Sequence, residues 1–145
     1  MTDLQTRAGA EAAALKAETV MRRQVLTVDA QTSIADVWAA MRTAQVEHAV
    51  VREQGTCLGI VALSEMWVAW SLELRSVSAR SVLPLVTPAP CVSGDTALPQ
   101  LCQILLRSRF GAALVLDDDG GLLGLVTTDD VLSGLAHTEQ SCSTT

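Results

Sequence analysis

Apolar residues along this chain keep two rhythms, and both rhythms occur twice. Ile34, Val37, Trp38 and Met41 stand at i, i+3, i+4 and i+7, the spacing of one helix face, and Leu98, Leu101, Cys102 and Leu105 repeat it. Thr32 or Ser33 can cap the first of these helices and Asp95 or Thr96 the second, where Pro99 is tolerated in the first turn. After each helix the pattern changes to β-rich runs joined by turn residues. Residues 48–51 and 58–62 flank the polar turn Glu53-Gln54-Gly55, and residues 112–116 and 122–127 flank Asp117-Asp118-Asp119-Gly120-Gly121, so a hairpin is expected in each half.

A short strand precedes each of the periodic helices, and a second helix follows each hairpin, over 64–74 and 128–136. Each half therefore reads β-α-β-β-α, and the chain as a whole belongs to the α/β (α+β) class, with two equivalent repeats packed as a pseudo-two-fold pair. The expected divisions are an N-terminal helical extension at 1–17, one repeat at 18–76, a second at 77–136 and a disordered tail at 137–145. The segment 75–90 joins the halves and is broken by Pro84, Pro88 and Pro90.

Composition narrows the function classes. With 49% hydrophobic residues and 18% charged there is enough apolar material for a core, which excludes global disorder. A net charge of -6, with no basic run longer than Arg22-Arg23, leaves no footprint for nucleic acid. The longest apolar stretch, 57–70, is interrupted by Ser64 and Glu65 and falls short of the roughly 20 residues of a membrane span. The Ala-rich stretch 8–17 carries Glu11 and Lys16, so it reads as a helix and not as a secretory signal, and a cytoplasmic protein is the expectation.

Cys57, Cys91, Cys102 and Cys142 show no CxxC spacing, and His48 and His137 alone could complete a metal site, so reduced thiols and no metal are expected. No Ser-His-Asp or Cys-His arrangement, P-loop or Gly-rich dinucleotide fingerprint is present, and the chain is read as a non-enzyme. The acidic turn at 117–119 lacks the rest of an EF-hand loop. Trp38, Trp67 and Trp70 fit either core packing or an intersubunit face.

Where the last strand of each half meets its last helix, one segment recurs. It reads Gly124-Leu125-Val126-Thr127-Thr128-Asp129-Asp130 in the second half and Gly59-Ile60-Val61-Ala62-Leu63-Ser64-Glu65 in the first. A Gly-hydrophobic-hydrophobic-Thr/Ser-x-x-Asp segment set twice in a tandem β-α-β-β-α repeat resembles the cystathionine-β-synthase (CBS) pair, or Bateman module. The resemblance covers about 18–136. It implies a stand-alone regulatory module and ligand sensor that binds an adenine nucleotide (AMP, ADP or ATP) or S-adenosylmethionine between its copies. It also implies a homodimer formed through the helices and an unidentified regulated protein as partner.

The same resemblance selects the site residues. Thr127 and Asp130 face the ribose, and Leu26 and Thr27 on the opening strand of the first repeat contact the base. His48, in Val46-Glu47-His48-Ala49-Val50-Val51, is similar to an Arg-His-hydrophobic-Pro-Val segment of the family that can face phosphates, although Glu47 and Val50 depart from it. Beside Glu47 a phosphate tail would need Arg22, Arg23, Arg107 or Arg109 to converge. Read from the residues alone, Thr127-x-x-Asp130 is a capping box that needs no ligand, and His48 is a half-exposed strand residue. In the first copy Ala62 and Glu65 replace the hydroxyl and the aspartate, so one competent site per chain is expected. A ligand-free dimeric scaffold with a vestigial cleft is the alternative function.

Overall fold

The computed structural model describes residues 15–72 and 80–143. The helical extension expected at 1–17 lies outside the described residues except for its last positions. The chain forms α1 (Ala17–Val20), β1 (Thr27–Asp29), α2 (Ile34–Ala44), β2 (His48–Glu53), β3 (Thr56–Ala62) and α3 (Leu63–Leu72), then a 3-10 turn at Leu83–Leu85. It continues through β4 (Cys91–Ser93), α4 (Leu98–Arg107), β5 (Ala112–Leu116), β6 (Leu122–Thr127) and α5 (Thr128–Ser143). Both halves have the β-α-β-β-α order that the apolar pattern predicts.

The chain divides into two compact units, Val25–Ala89 and Met1–Gln24 with Pro90–Thr145. In the unit Val25–Ala89 the strand order is β1-β2-β3, parallel then antiparallel, with Thr27 opposite Val50 and His48 opposite Ala62. The other unit repeats this as β4-β5-β6, with Cys91 opposite Leu114 and Ala112 opposite Thr127. Even the irregularity recurs, since the register shifts between Val51 and Arg52 in one sheet and between Val115 and Leu116 in the other. Ile34 and Leu98, the first residues of α2 and α4, occupy equivalent places, each 3% exposed.

Burial follows the periodicity. Ile34, Val37 and Met41 point from α2 into a core with Ala49, Val51, Val61 and Met66, while Leu98, Leu101 and Leu105 point from α4 into one with Ala113, Val115, Val126 and Val131. The first hairpin is longer than the pattern predicts. Glu53 pairs with Thr56, leaving Gln54 and Gly55 both at positive φ, which is a two-residue turn whose twist matches the strands and lets them run to its edge. The second hairpin closes through Asp117, whose Oδ1 accepts from the N–H groups of Asp119 and Gly121 at 2.9 and 2.7 Å. That carboxylate organises its own turn.

Ser33 caps α2 as expected, its Oγ accepting from the N–H of Asp36 at 3.2 Å. The corresponding expectation for α4 fails: the N-cap is Ala97, with no side-chain cap, and neither Asp95 nor Thr96 takes the role. The helix starts later because the N–H of Leu98 donates to the carbonyl of Leu15, which holds Ala97 in the N-cap conformation. The last helix runs to Ser143, past 136 where the apolar pattern ends, and no proline or terminal glycine after Ala136 stops it.

Each unit is completed by a strap that precedes the other repeat in sequence. In one unit Ser33 bridges Ser81, Val82 donates to the carbonyl of Thr32, and Thr87 exchanges two backbone hydrogen bonds with Ile60. In the other, Lys16 bridges Ala97, Ala17 donates to the carbonyl of Thr96, and Arg22 exchanges two backbone hydrogen bonds with Leu125. A short helical turn lies between the two bridges of each strap, and Val82 and Ala17, at the start of each turn, are both fully buried. The straps satisfy backbone groups on the outer edges of β3 and β6 that would otherwise be an open template for pairing.

Candidate functional site

The end of β6 and the first turn of α5 bring Thr127 and Asp130 together. The N–H of Thr127 donates to Asp130 Oδ2 at 2.9 Å, the Thr127 hydroxyl donates to the same oxygen at 3.0 Å, and the N–H of Asp130 donates back to Thr127 Oγ1 at 3.3 Å. This is the reciprocal capping box that the spacing predicts, serving backbone donors that have no partner inside the helix. A helix N-terminus also favours a carboxylate electrostatically. Asp130 is only 8% exposed, and it is the one charged residue among the described residues that is buried.

A third residue joins them that the sequence reading did not assign to this place. Arg22, on the strap that pairs with Leu125, donates from Nε to Asp130 Oδ1 at 2.8 Å. The Arg22 side chain is 62% exposed, so a buried carboxylate pairs with a largely exposed cation. The local reason is the strap register: the two backbone hydrogen bonds between Arg22 and Leu125 set Arg22 beside β6, within reach of the turn that follows it. The sequence offered a cluster of four arginines as phosphate partners, and none of its signals singled out Arg22 for Asp130. Arg107 and Arg109 are exposed near the end of α4, with the Arg109 guanidinium 5.3 Å from the centre of the Phe110 ring.

Leu26, Thr27 and His48 lie in the unit Val25–Ala89, and Thr127 and Asp130 in the other. Within their own unit the first three are neighbours: the carbonyl of Leu26 accepts from the N–H of Val50 at 2.8 Å, Thr27 pairs with Val50, and His48 begins the same strand. Thr27 is exposed, while Leu26 and His48 are half-buried. His48 stands opposite Ala62, the position that corresponds to Thr127. Ala62 is buried and has no hydroxyl to offer, and Glu65 is half-buried in the first turn of α3. The N–H of Leu63 donates to the carbonyl of Glu47, as that of Thr128 does to the carbonyl of Gly111, so the two helix starts share a backbone frame but not a side-chain cap of Thr and Asp.

Of the tryptophans, Trp38 is half-buried against the core and Trp67 is 58% exposed, their rings meeting edge to face at 4.8 Å. The Trp70 side chain lies outside the described residues. Among the described residues no group of three or more His, Cys, Asp or Glu gathers to hold a metal ion, and no helix is long and apolar enough to cross a membrane.

Comparisons with known proteins agree with the fold. The family model of the CBS domain matches residues 17–66 and 79–137. Among solved structures, the CBS domain of a bacterial CNNM/CorC family Mg2+ transporter in complex with ATP is 18% identical, with a TM-score of 0.81 over 93% of this chain and 96% of that one. The CBS-pair protein CBSX2 from Arabidopsis thaliana is 21% identical, with a TM-score of 0.75 over 87% of this chain and 97% of that one. The same protein in complex with AMP is 24% identical, with a TM-score of 0.72 over 86% and 98%. At such identities the likeness is one of fold. A comparison with curated proteins returns no match. With two copies of the domain matched over most of its length, the chain belongs to the CBS-domain family.

Proposed function

We propose that this chain is a non-catalytic regulatory module that binds one adenosyl ligand, an adenine nucleotide or S-adenosylmethionine, and relays its presence to a partner protein. The observation that carries the reading is the Thr127–Asp130 pair: a buried carboxylate at a helix N-terminus beside a hydroxyl, chemistry that suits the vicinal hydroxyls of a ribose. The ATP and AMP complexes of similar folds support it. Leu26, Thr27 and His48 enter the proposal as further contributors from the first repeat, and a homodimer through the helices as the working form.

Calorimetry of the full chain with AMP, ADP, ATP and S-adenosylmethionine tests it. Hydrogen bonds to a charged group contribute about 1.5–3 kcal/mol each, so Asp130→Ala is expected to weaken binding by about tenfold or more. Glu65→Ala is expected to leave it unchanged, because Ala62 has already removed the partner hydroxyl there. Asp130→Ala also costs about 1 kcal/mol of capping, so binding is measured well below the melting temperature. Wild-type protein that binds none of the four ligands would remove the proposal.

One observation favours a second reading, a dimeric scaffold without a ligand. Both carboxylate oxygens of Asp130 already have protein partners, so the group is satisfied as it stands. A thermal-shift screen separates the two, since a ligand that binds only the native state raises the melting temperature by mass action.

A further inference from the structure

A carboxylate offers about four lone-pair positions. Asp130 uses two on Oδ2 for the N–H and hydroxyl of Thr127, and one on Oδ1 for Arg22 Nε. About one position is left, on Oδ1, which is enough for one ribose hydroxyl and not for two. A ribose that engages Asp130 with both of its vicinal hydroxyls must therefore move Arg22 off the carboxylate.

Displacing Arg22 breaks a short charge-assisted hydrogen bond. A neutral nucleoside has nothing to return to the guanidinium in exchange. A phosphorylated one does, because the five N–H donors of a guanidinium pair as readily with phosphate oxygens as with a carboxylate. S-adenosylmethionine offers one carboxylate, but its sulfonium and ammonium leave it with a net positive charge, so it compensates the released guanidinium less well than a phosphate does. The Arg22 side chain is long and 62% exposed, so it can pivot from the carboxylate to a phosphate while its backbone stays pinned to Leu125 by two hydrogen bonds of 2.8 and 3.0 Å.

We infer that Arg22 is a specificity-determining residue of the proposed site: by occupying Asp130 Oδ1 it excludes unphosphorylated and cationic adenosyl compounds and admits those whose phosphate can take the guanidinium over. This rests on the reading of Asp130 as a ribose-binding group. Because the role belongs to the side chain, substitution leaves the strap's backbone pairing in place.

The test is calorimetry of the full chain with AMP, adenosine and S-adenosylmethionine, using wild type, Arg22→Ala and the neighbouring Arg23→Ala. Wild type is expected to prefer AMP over the other two by about tenfold or more, the equivalent of one charge-assisted hydrogen bond. In Arg22→Ala adenosine is expected to bind more tightly and AMP less tightly, so that the preference collapses towards one, whereas Arg23→Ala keeps it. An unchanged preference in Arg22→Ala, or an equal collapse in Arg23→Ala, would overturn the role of Arg22 while leaving ligand binding intact. If AMP binds and Asp130→Ala does not weaken it, or if no compound binds any of the proteins, the ribose assignment falls and the selectivity with it.

Discussion

The carbonyl oxygen of Thr87 passes so close to Gly59 that a Cβ built on that glycine would lie 2.2 Å from it. The same relationship holds in the other unit, where a Cβ on Gly124 would lie 2.5 Å from the carbonyl oxygen of Arg22. A backbone crossing is thus enough to require the glycine that opens each repeated segment. Gly59→Ala and Gly124→Ala are each expected to destabilise the protein by about 3 kcal/mol, the upper end of overpacking costs. Gly55 at the tip of the first hairpin has nothing near its would-be Cβ, and Gly55→Asn, which tolerates its φ of 80°, is expected to cost less than about 1 kcal/mol. Urea denaturation of the three variants measures the difference, and equal midpoints would contradict the crossing.

Helix capping differs between two otherwise matching positions. Ser33 and Ala97 hold nearly the same N-cap backbone, φ and ψ of -68° and 154° against -68° and 149°, but Ser33 alone supplies an acceptor. Ser33→Ala is expected to cost about 1 kcal/mol and Ala97→Ser to gain about 1 kcal/mol, since the exposed Ala97 leaves space for a hydroxyl. Thermal melts showing no gain for Ala97→Ser would mean that the new hydroxyl does not reach the N–H of Gln100, the counterpart of Asp36.

The two aliphatic faces should respond unequally to truncation. Met41 is fully buried in the core of its unit and Met41→Ala is expected to cost about 2–5 kcal/mol, whereas Leu106, 85% exposed on α4, should change stability by less than about 0.5 kcal/mol. Chemical denaturation checks both. A large loss at Leu106→Ala that depends on protein concentration would reveal a contact made by a second copy.

For the proposed homodimer, the exposed Trp67 and Val68 on α3 are the natural anchors. Trp67→Glu is expected to shift sedimentation from dimer to monomer with the far-UV spectrum retained. Wild-type protein that sediments as a monomer of 15.3 kDa over a wide concentration range would rule the dimer out.

What could be read from sequence was local. The order of elements, the cores under Ile34 and Leu98, and the Thr127–Asp130 box all rest on spacings of a few residues, where periodicity, turn chemistry and capping act. Asp95 and Thr96 misled because they have the chemistry of a cap; in the structure Thr96 belongs to the turn, its N–H donating to the carbonyl of Ser93. Sequence reads the strap at 80–89 as part of the segment joining the halves and splits the one at 15–24 between an N-terminal extension and the first repeat, because their attachment is made by backbone groups, and the few buried apolar residues that mark it, Ala17, Met21 and Val82, are too sparse to form a rhythm. The bond from Arg22 to Asp130 spans 108 positions and has no local signature at all.

The interleaved straps also set an order of assembly. The unit Val25–Ala89 is one continuous stretch and can close on itself as soon as its own residues are made. The other unit joins residues 15–24 to the residues that follow Ala89, across a loop that contains the whole first unit, and must meet the larger closure entropy of that span. Ala17 and Met21 are thus synthesised before the unit Val25–Ala89 and buried after it, and until β6 and α5 exist the nascent chain carries them as an unmatched apolar segment.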